Sequence, residues 1–386
     1  MKQRKILWVN PSFLDYRIPF YDEMNKCCNG GFHLIYSKNR VPERCRLNIG
    51  RRLGGNAIGI EKEVCYGSAT TAEFANRGVT IPFPKGLYRK IASVEPDLLV
   101  AEGFFQFTPW ALLYSIVHRK PLLIAYERTA HTERNCPFWR TAYRRFVNLF
   151  VDGYVVNGRL TKEYLMSHGV REESIFTGGM CADSTGLADS VTAFSSCERD
   201  CFRNQVFGSR VSGLIYIYVG QMIHRKGVSS LIEGWRTHIA KHGADKLLLV
   251  GDGPELENCR KIAETMGSIV FAGAVDYSLI HKYYAISDVF VMPTLEDNWS
   301  LVVPEAMACG LPVACSIYNG CHPELVRKDV NGITFDPLLP ESVVMALDYF
   351  HNADLRKLGR ASIEIERNYN PAHVAANVMR AIDSCL

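Results

Sequence analysis

Short apolar runs alternate with amphipathic stretches along most of the 386 residues. Ile6-Leu7-Trp8-Val9 and the segments 32–36, 96–101, 121–126 and 153–157 have the apolar character of strands buried on both faces. Residues 18–25, 110–117, 138–150 and 161–168 carry helical spacing, the last stopping at Gly169. This rhythm predicts a parallel sheet with helices on both faces. Residues 182–212 interrupt it, being rich in Ser, Thr, Asp and Gly without a strong strand, and a domain boundary is placed there. A second alternation follows. Strands are expected at 214–219, 246–250, 269–271, 289–292 and 312–316. Helices are expected at 228–238, 255–266, 278–285, 303–308, 341–351 and 354–366. The reading is α/β, with two tandem Rossmann-like doubly wound domains. Ligands of such sheets sit beyond the carboxyl ends of the strands, here in an interdomain cleft.

Composition narrows the classes. A content of 47% hydrophobic and 22% charged residues excludes disordered and fibrous chains. The net charge of +4 divides unevenly. Residues 1–190 hold 26 basic and 18 acidic residues, or +8, and residues 191–386 hold 18 and 22, or −4. A basic first half suits an anionic acceptor or a membrane surface, while +4 overall is too weak to argue for nucleic acid. The 13 cysteines are scattered without a CxxC pair, and no His/Cys cluster has zinc-like spacing, which points to reduced thiols and a cytoplasmic protein. Ile6–Val9 is too short for the core of a signal peptide. No apolar stretch reaches the ~20 residues of a spanning helix, so at most a surface contact at the inner face of a membrane is expected.

Two loops carry candidate chemistry. Gly220-Gln221-Met222-Ile223-His224-Arg225-Lys226-Gly227 leaves a strand and opens a helix, whose N-terminus favours anions. Arg225 and Lys226 add full charges there, and the segment is neither a Walker A loop nor a GxGxxG fingerprint. Taken alone, it also fits a solvated basic loop. Asp297-Asn298-Trp299-Ser300-Leu301 leads into a helix started by Pro304, with Glu305 in its first turn. Alone, Asp297 reads as a turn residue and Glu305 as an acid that complements the helix dipole.

Together with Leu249-Val250-Gly251-Asp252-Gly253-Pro254, Phe271-Ala272-Gly273, Asp288–Thr294 and Glu305–Val313, these loops resemble the group 1 family of retaining glycosyltransferases with the GT-B fold. The resemblance is strong over residues 214–340. It implies domains at 1–185 for the acceptor and 186–365 for a nucleotide-sugar donor, with a helix in 366–386 packing back on the first domain. It also implies that Lys226 meets the diphosphate, with Gly220, Gln221 and Arg225 beside it. Gln221 stands where the family usually has an arginine. Asp297 takes the first position of the family's Glu-x7-Glu motif, Asp replacing Glu, and Glu305 takes the second, on the ribose. Asn298, Trp299, Ser300 and Leu301 form the loop facing donor sugar and phosphates, and Val275 lies where the nucleobase is read.

Family members commonly carry a His after the strand that ends at Tyr126; here Glu127 follows, with His131 four residues on. Either Glu127 or His131 is the first-domain catalytic residue, or the cluster is an ion-paired surface loop. Asp15, Tyr16 and Arg17, after the first strand, are candidate acceptor contacts. Arg140, Arg144 and Arg145 share a basic helix that is either a solvated face or a contact with membrane lipid. The expected activity is transfer from a nucleoside diphosphate sugar, UDP favoured over GDP, to a hydroxyl of a glycan or lipid-linked acceptor. The anomeric configuration is retained, no metal or other cofactor is required, and surface polysaccharide synthesis is the expected setting. A nucleotide-sugar epimerase and a non-catalytic sugar-nucleotide-binding subunit are the rival readings.

Overall fold

A computed structural model describes residues 4–66, 81–208 and 210–386. The chain divides into two compact units, Met1–Asp183 with Tyr369–Leu386, and Ser184–Asn368.

In the first unit, β1 (Ile6–Val9), β2 (Phe32–Ser37) and β3 (Ala57–Ile60) are followed by a small antiparallel pair, β4 (Glu63–Tyr66) with β5 (Ile81–Pro84). Then come β6 (Leu98–Glu102), β7 (Leu122–Tyr126), β8 (Gly153–Val156) and β9 (Ile175–Thr177). The main sheet is parallel throughout, in the order β3-β2-β1-β6-β7-β8-β9. Strand β1 has no polar side chain because it is covered on both faces. Ile6 and Trp8 enter one core, and Leu7 and Val9 the other. The first core is closed by the terminal helix Pro371–Asp383, capped by Asn370, which packs along the helix Ile18–Cys27. Its Val374, Val378 and Ile382 are fully buried, each contributing roughly 1.5–3 kcal/mol.

The second unit holds β10 (Ile215–Val219), β11 (Lys246–Val250), β12 (Ile269–Gly273), β13 (Val289–Met292), β14 (Val313–Ser316) and β15 (Gly332–Phe335). All are parallel, in the order β12-β11-β10-β13-β14-β15. The sequence direction of the strands reverses between β10 and β13, and between β1 and β6 in the first unit. Crevices open at such reversals, beyond the carboxyl ends of the strands. The segment that interrupts the alternation holds no strand among its described residues and is two helices, Ser184–Ala193 and Ser196–Phe207. Part of its polar content serves the helix ends: Ser195 and Glu198 form a capping box, and Gly208 closes the second helix. Helix Ser184–Ala193 packs on helices Ile280–Ala285 and Val302–Ala308, inside the second unit.

Candidate active site

The loops after β10 and β13 meet at the strand reversal of the second unit. A 3-10 turn, His224–Lys226, leads through Gly227 into the helix Val228–Lys241. Gly227 has φ +66°, and a Cβ there would lie 2.1 Å from the carbonyl oxygen of Pro293. Only glycine lets the two loops touch. The Arg225 carbonyl accepts from Leu295 N at 2.8 Å and from Thr294 Oγ1 at 2.9 Å, while its guanidinium donates to the Glu296 carbonyl at 3.2 Å. Gly251 serves the same packing, its φ of +141° placing it against the backbone of Gly220, so the Gly251-Asp252-Gly253-Pro254 segment is a structural turn.

This clamp brings the Lys226 ammonium onto the Asp297 carboxylate in an ion pair, with both side chains nearly buried. Asp297 Oδ2 also accepts from Ser300 Oγ at 2.5 Å, and Oδ1 from Trp299 N at 3.3 Å. Burial opposes ionisation, but Lys226, Ser300 and Arg225 outweigh it and hold the carboxyl below its usual range. The Asn319 side chain fixes the loop by accepting from Ser300 N at 3.3 Å. Asn298 and Leu301 are half-buried beside it, and Trp299 is buried. Gln221 is exposed, its carbonyl accepting from the Tyr218 hydroxyl, and Val275 is half-buried after β12.

Glu305 lies in the first turn of helix Val302–Ala308 and is only 4% exposed. Its oxygens accept from Tyr277 Oη at 3.2 Å and Tyr284 Oη at 3.3 Å. Two phenols thus already occupy this carboxylate, a constraint with no signal in the local sequence.

In the first unit, the reversal between β1 and β6 opens into a cavity of about 360 Å³. Tyr16, Arg17, Arg40, Glu102, Glu127, Arg128 and Arg144 are among its lining residues. Glu102 ends β6, and its Oε1 accepts from Trp8 Nε1 at 3.0 Å, Asn10 Nδ2 at 3.4 Å and Arg17 Nη2 at 3.0 Å. Arg17 is buried over the Phe20 ring, 4.6 Å from its centroid. Burial works to lower its pKa, but Glu102 and its other neighbours outweigh that and raise it.

The predicted residues of this unit separate. Glu127 is exposed and lines the cavity. His131 does not line it and is half-buried; its carbonyl accepts from Arg134. Tyr16 lines the cavity and Arg17 forms its inner wall, whereas Asp15 turns away to Arg44 at 2.5 Å and Asn48 at 3.3 Å. Arg140 and Arg144, one turn apart, both lie near the Phe105 ring, 5.7 and 5.8 Å from its centroid, whereas Arg145 does not share that face. Arg144 is buried, bonded to Glu133 at 2.7 Å and to Tyr164 Oη at 2.8 Å, and Glu133 also pairs with Arg128 at 3.2 Å. At 100° per residue, adjacent Arg144 and Arg145 cannot face the same way, and the inward stripe with Val147 claims Arg144. Glu133, in the cluster read as either catalytic or ion-paired, is ion-paired, while Glu102 and Arg40 were not selected from the sequence. The rule that selected Glu127, an ionisable residue at a strand's carboxyl end, also selects Glu102.

The described cysteines are free thiols, and among the described residues no helix is long and apolar enough to cross a membrane.

Residues 213–352 match the family model described as glycosyl transferases group 1. A 154-residue segment is 30% identical to an uncharacterized glycosyltransferase of Methanocaldococcus jannaschii, covering 39% of this chain and 39% of that protein. The sulfoquinovosyl transferase SQD2 of Arabidopsis thaliana is 31% identical over 179 residues, 44% of this chain and 34% of that protein. These matches thus span less than half the length of either relative. Among solved structures, HepE of Anabaena in complex with UDP superposes with a TM-score of 0.74 over 98% of this chain and 100% of that one, at 15% identity. That likeness shows the fold.

Proposed function

From a chain whose residues 213–352 match the glycosyl transferases group 1 family model and whose two units have the GT-B fold, we propose a glycosyltransferase that uses a nucleoside diphosphate sugar, UDP-linked in preference to GDP-linked. The sugar goes to a hydroxyl of a glycan or lipid-linked acceptor with retention of configuration. The observation that carries this reading is the Lys226–Asp297 pair at the strand reversal of the second unit, beside the N-terminus of helix Val228–Lys241.

The pair stores a cation where a diphosphate is expected. When the donor binds, the Lys226 ammonium turns from Asp297 to the diphosphate. Asp297 keeps its bonds to Ser300 and Trp299, so it stays ionised near the sugar. As the bond from the anomeric carbon to the diphosphate oxygen breaks, Lys226 and the helix N-terminus stabilise the charge left on that oxygen. The acceptor hydroxyl attacks from the same face and passes its proton to the departing diphosphate. These residues supply the positive charge, and the reading assigns no metal to the step. UDP is favoured because the fold relative HepE holds it.

Acceptor binding is assigned to the cavity of the first unit, where Tyr16, Arg40 and Glu127 reach a bound hydroxyl compound. Helix Phe138–Val147 and the turn after it expose Phe138, Phe146 and Leu149, respectively 84%, 54% and 76%. With exposed Arg145 they form an amphipathic surface suited to an anionic membrane, and a place at the inner membrane face in surface polysaccharide synthesis is part of the proposal.

The test is product analysis by mass spectrometry after incubation with UDP-sugars, GDP-sugars and a panel of glycan acceptors, alongside thermal shift with each nucleotide. A stabilising shift with one nucleotide, and a product formed only when acceptor is present, fit the reading. An epimerised donor without acceptor makes it an epimerase. A shift with no product from any donor makes it a binding subunit.

A further inference from the structure

The helix Val228–Lys241 points Lys226 at the proposed donor from one end, and its other end carries a cluster that the proposed reaction does not use. Against the expectation that no His/Cys cluster has zinc-like spacing, His238 and His242 stand one turn apart, an H-x3-H spacing that puts both on one face and whose acidic partners lie elsewhere in the chain. His238 is fully buried. Its Nδ1 lies 2.7 Å from Asp348 Oδ1 and its Nε2 lies 3.0 Å from Asp245 Oδ2. His242 Nε2 lies 3.6 Å from the same Asp348 Oδ1. His351 Nε2 sits 2.7 Å from Asp245 Oδ2, and its ring stacks on that of His242 with centroids 3.6 Å apart and planes 11° off parallel. The ligating atoms of His238, His242 and Asp348 all fall within 4.8 Å of one another.

We propose that His238 Nδ1, His242 Nε2 and Asp348 Oδ1 bind a zinc ion, with Asp245 orienting His238 through Nε2. Two imidazoles and a carboxylate are a donor set that zinc favours. Tetrahedral bonds of about 2.0 Å place ligand atoms about 3.3 Å apart. Widening the 2.7 Å contact by about 0.6 Å and closing the 3.6 Å one by about 0.3 Å reaches that spacing. A carboxylate behind the distal nitrogen of a ligating histidine is the usual outer support of zinc sites, and Asp245 occupies that place. His242 and Asp348 are about one quarter exposed, which leaves a side open for a water as fourth ligand. Lys241 Nζ, 2.8 Å away, engages Asp348 through its other oxygen, Oδ2, and leaves Oδ1 to the metal. The ion would tie helix Val228–Lys241 to helix Pro340–Asp348, roughly 20 Å along the helix from Lys226.

The experiment uses the full chain without a polyhistidine tag, stripped by chelation and titrated calorimetrically with zinc. Bound metal is counted by mass spectrometry, and cobalt(II) serves as a spectroscopic probe. The expected result is one zinc per chain, a rise in Tm, and visible cobalt bands of four-coordinate nitrogen and oxygen ligation. His242→Ala, at a part-exposed position that leaves the fold intact, is expected to weaken zinc at least tenfold, as is Asp348→Asn. His351→Ala is expected to keep the stoichiometry. No stoichiometric zinc in the wild type, unchanged affinity in His242→Ala, or the near-ultraviolet charge-transfer band of thiolate ligation would each overturn the proposal.

Discussion

Lys226 and Asp297, 71 positions apart in the chain, close an ion pair at the one place in the second unit where the strand order reverses. The pair is both a structural clamp and, in the proposed function, a cation held ready for the diphosphate. Lys226→Ala removes the cation and leaves a buried carboxylate without its main partner. Product formation under saturating donor is expected to fall by about 10²–10³-fold, the usual loss when one preorganised charge at a leaving group is removed. Asp297→Asn keeps the shape and the Ser300 contact while releasing Lys226. It is expected to retain nucleotide binding in thermal shift while turnover falls. Loss of nucleotide binding in Asp297→Asn with normal binding in Lys226→Ala would reverse the assigned roles.

Gly227 is where the clamp is most exacting. Gly227→Ala combines a left-handed backbone angle with a methyl group pressed onto the Pro293 carbonyl. The expected cost is more than about 1 kcal/mol in urea unfolding, because both the angle and the contact are incompatible with a side chain. The loop displacement is expected to lower nucleotide affinity together with stability. Gly267→Ala, where a Cβ meets nothing within 4 Å, is the control with little expected change.

The two neighbouring arginines of helix Phe138–Val147 are expected to separate by function. Arg144→Met strands Glu133, whose carboxyl is kept below its usual range by Arg128 and Arg144 against the opposing effect of burial. A loss of about 3–5 kcal/mol in unfolding free energy is expected, eased toward the low end because Arg128 remains. Arg145→Ala is expected to change stability by less than about 0.5 kcal/mol. Sedimentation with anionic vesicles reads the other property: Phe146→Ser with Leu149→Ser is expected to release the protein from vesicles, and Arg145→Ala to weaken binding at low salt.

Glu366, at the end of helix Leu355–Glu366, gives the second unit a pH dependence. Burial raises its carboxyl from 4.5 to about 7, with nearby Ser184 and Arg367 only partly offsetting it. The folded state therefore holds a proton that the unfolded state releases between about pH 4.5 and 7. Stability from this group is complete below that window and falls as pH rises through it, by roughly 3 kcal/mol in total. Glu366→Gln is expected to flatten that slope and to be more stable than wild type at pH 8. Chemical unfolding at pH 5 and pH 8 checks both signs.

The sequence by itself determined the central strands, many of the helices and the parallel class, because those follow from local periodicity and from turns whose chemistry lies within a few residues; the short outer strands β3, β9 and β15 and the helices Ser184–Ala193 and Ser196–Phe207 were not legible in it. It also singled out the loops of Lys226 and Asp297, since a loop after a buried strand is visible as such. It did not determine that the two side chains touch. Which strands become neighbours depends on crossover connections, and a separation of 71 positions carries no distance information. The same reason hid Glu102 behind Arg17, set Arg144 against Glu133, and gathered His238, His242 and His351 around Asp245 and Asp348. Each pairing joins side chains from different elements, decided when burial forces every ionised group to find a partner, and only the tertiary structure says which partner is within reach.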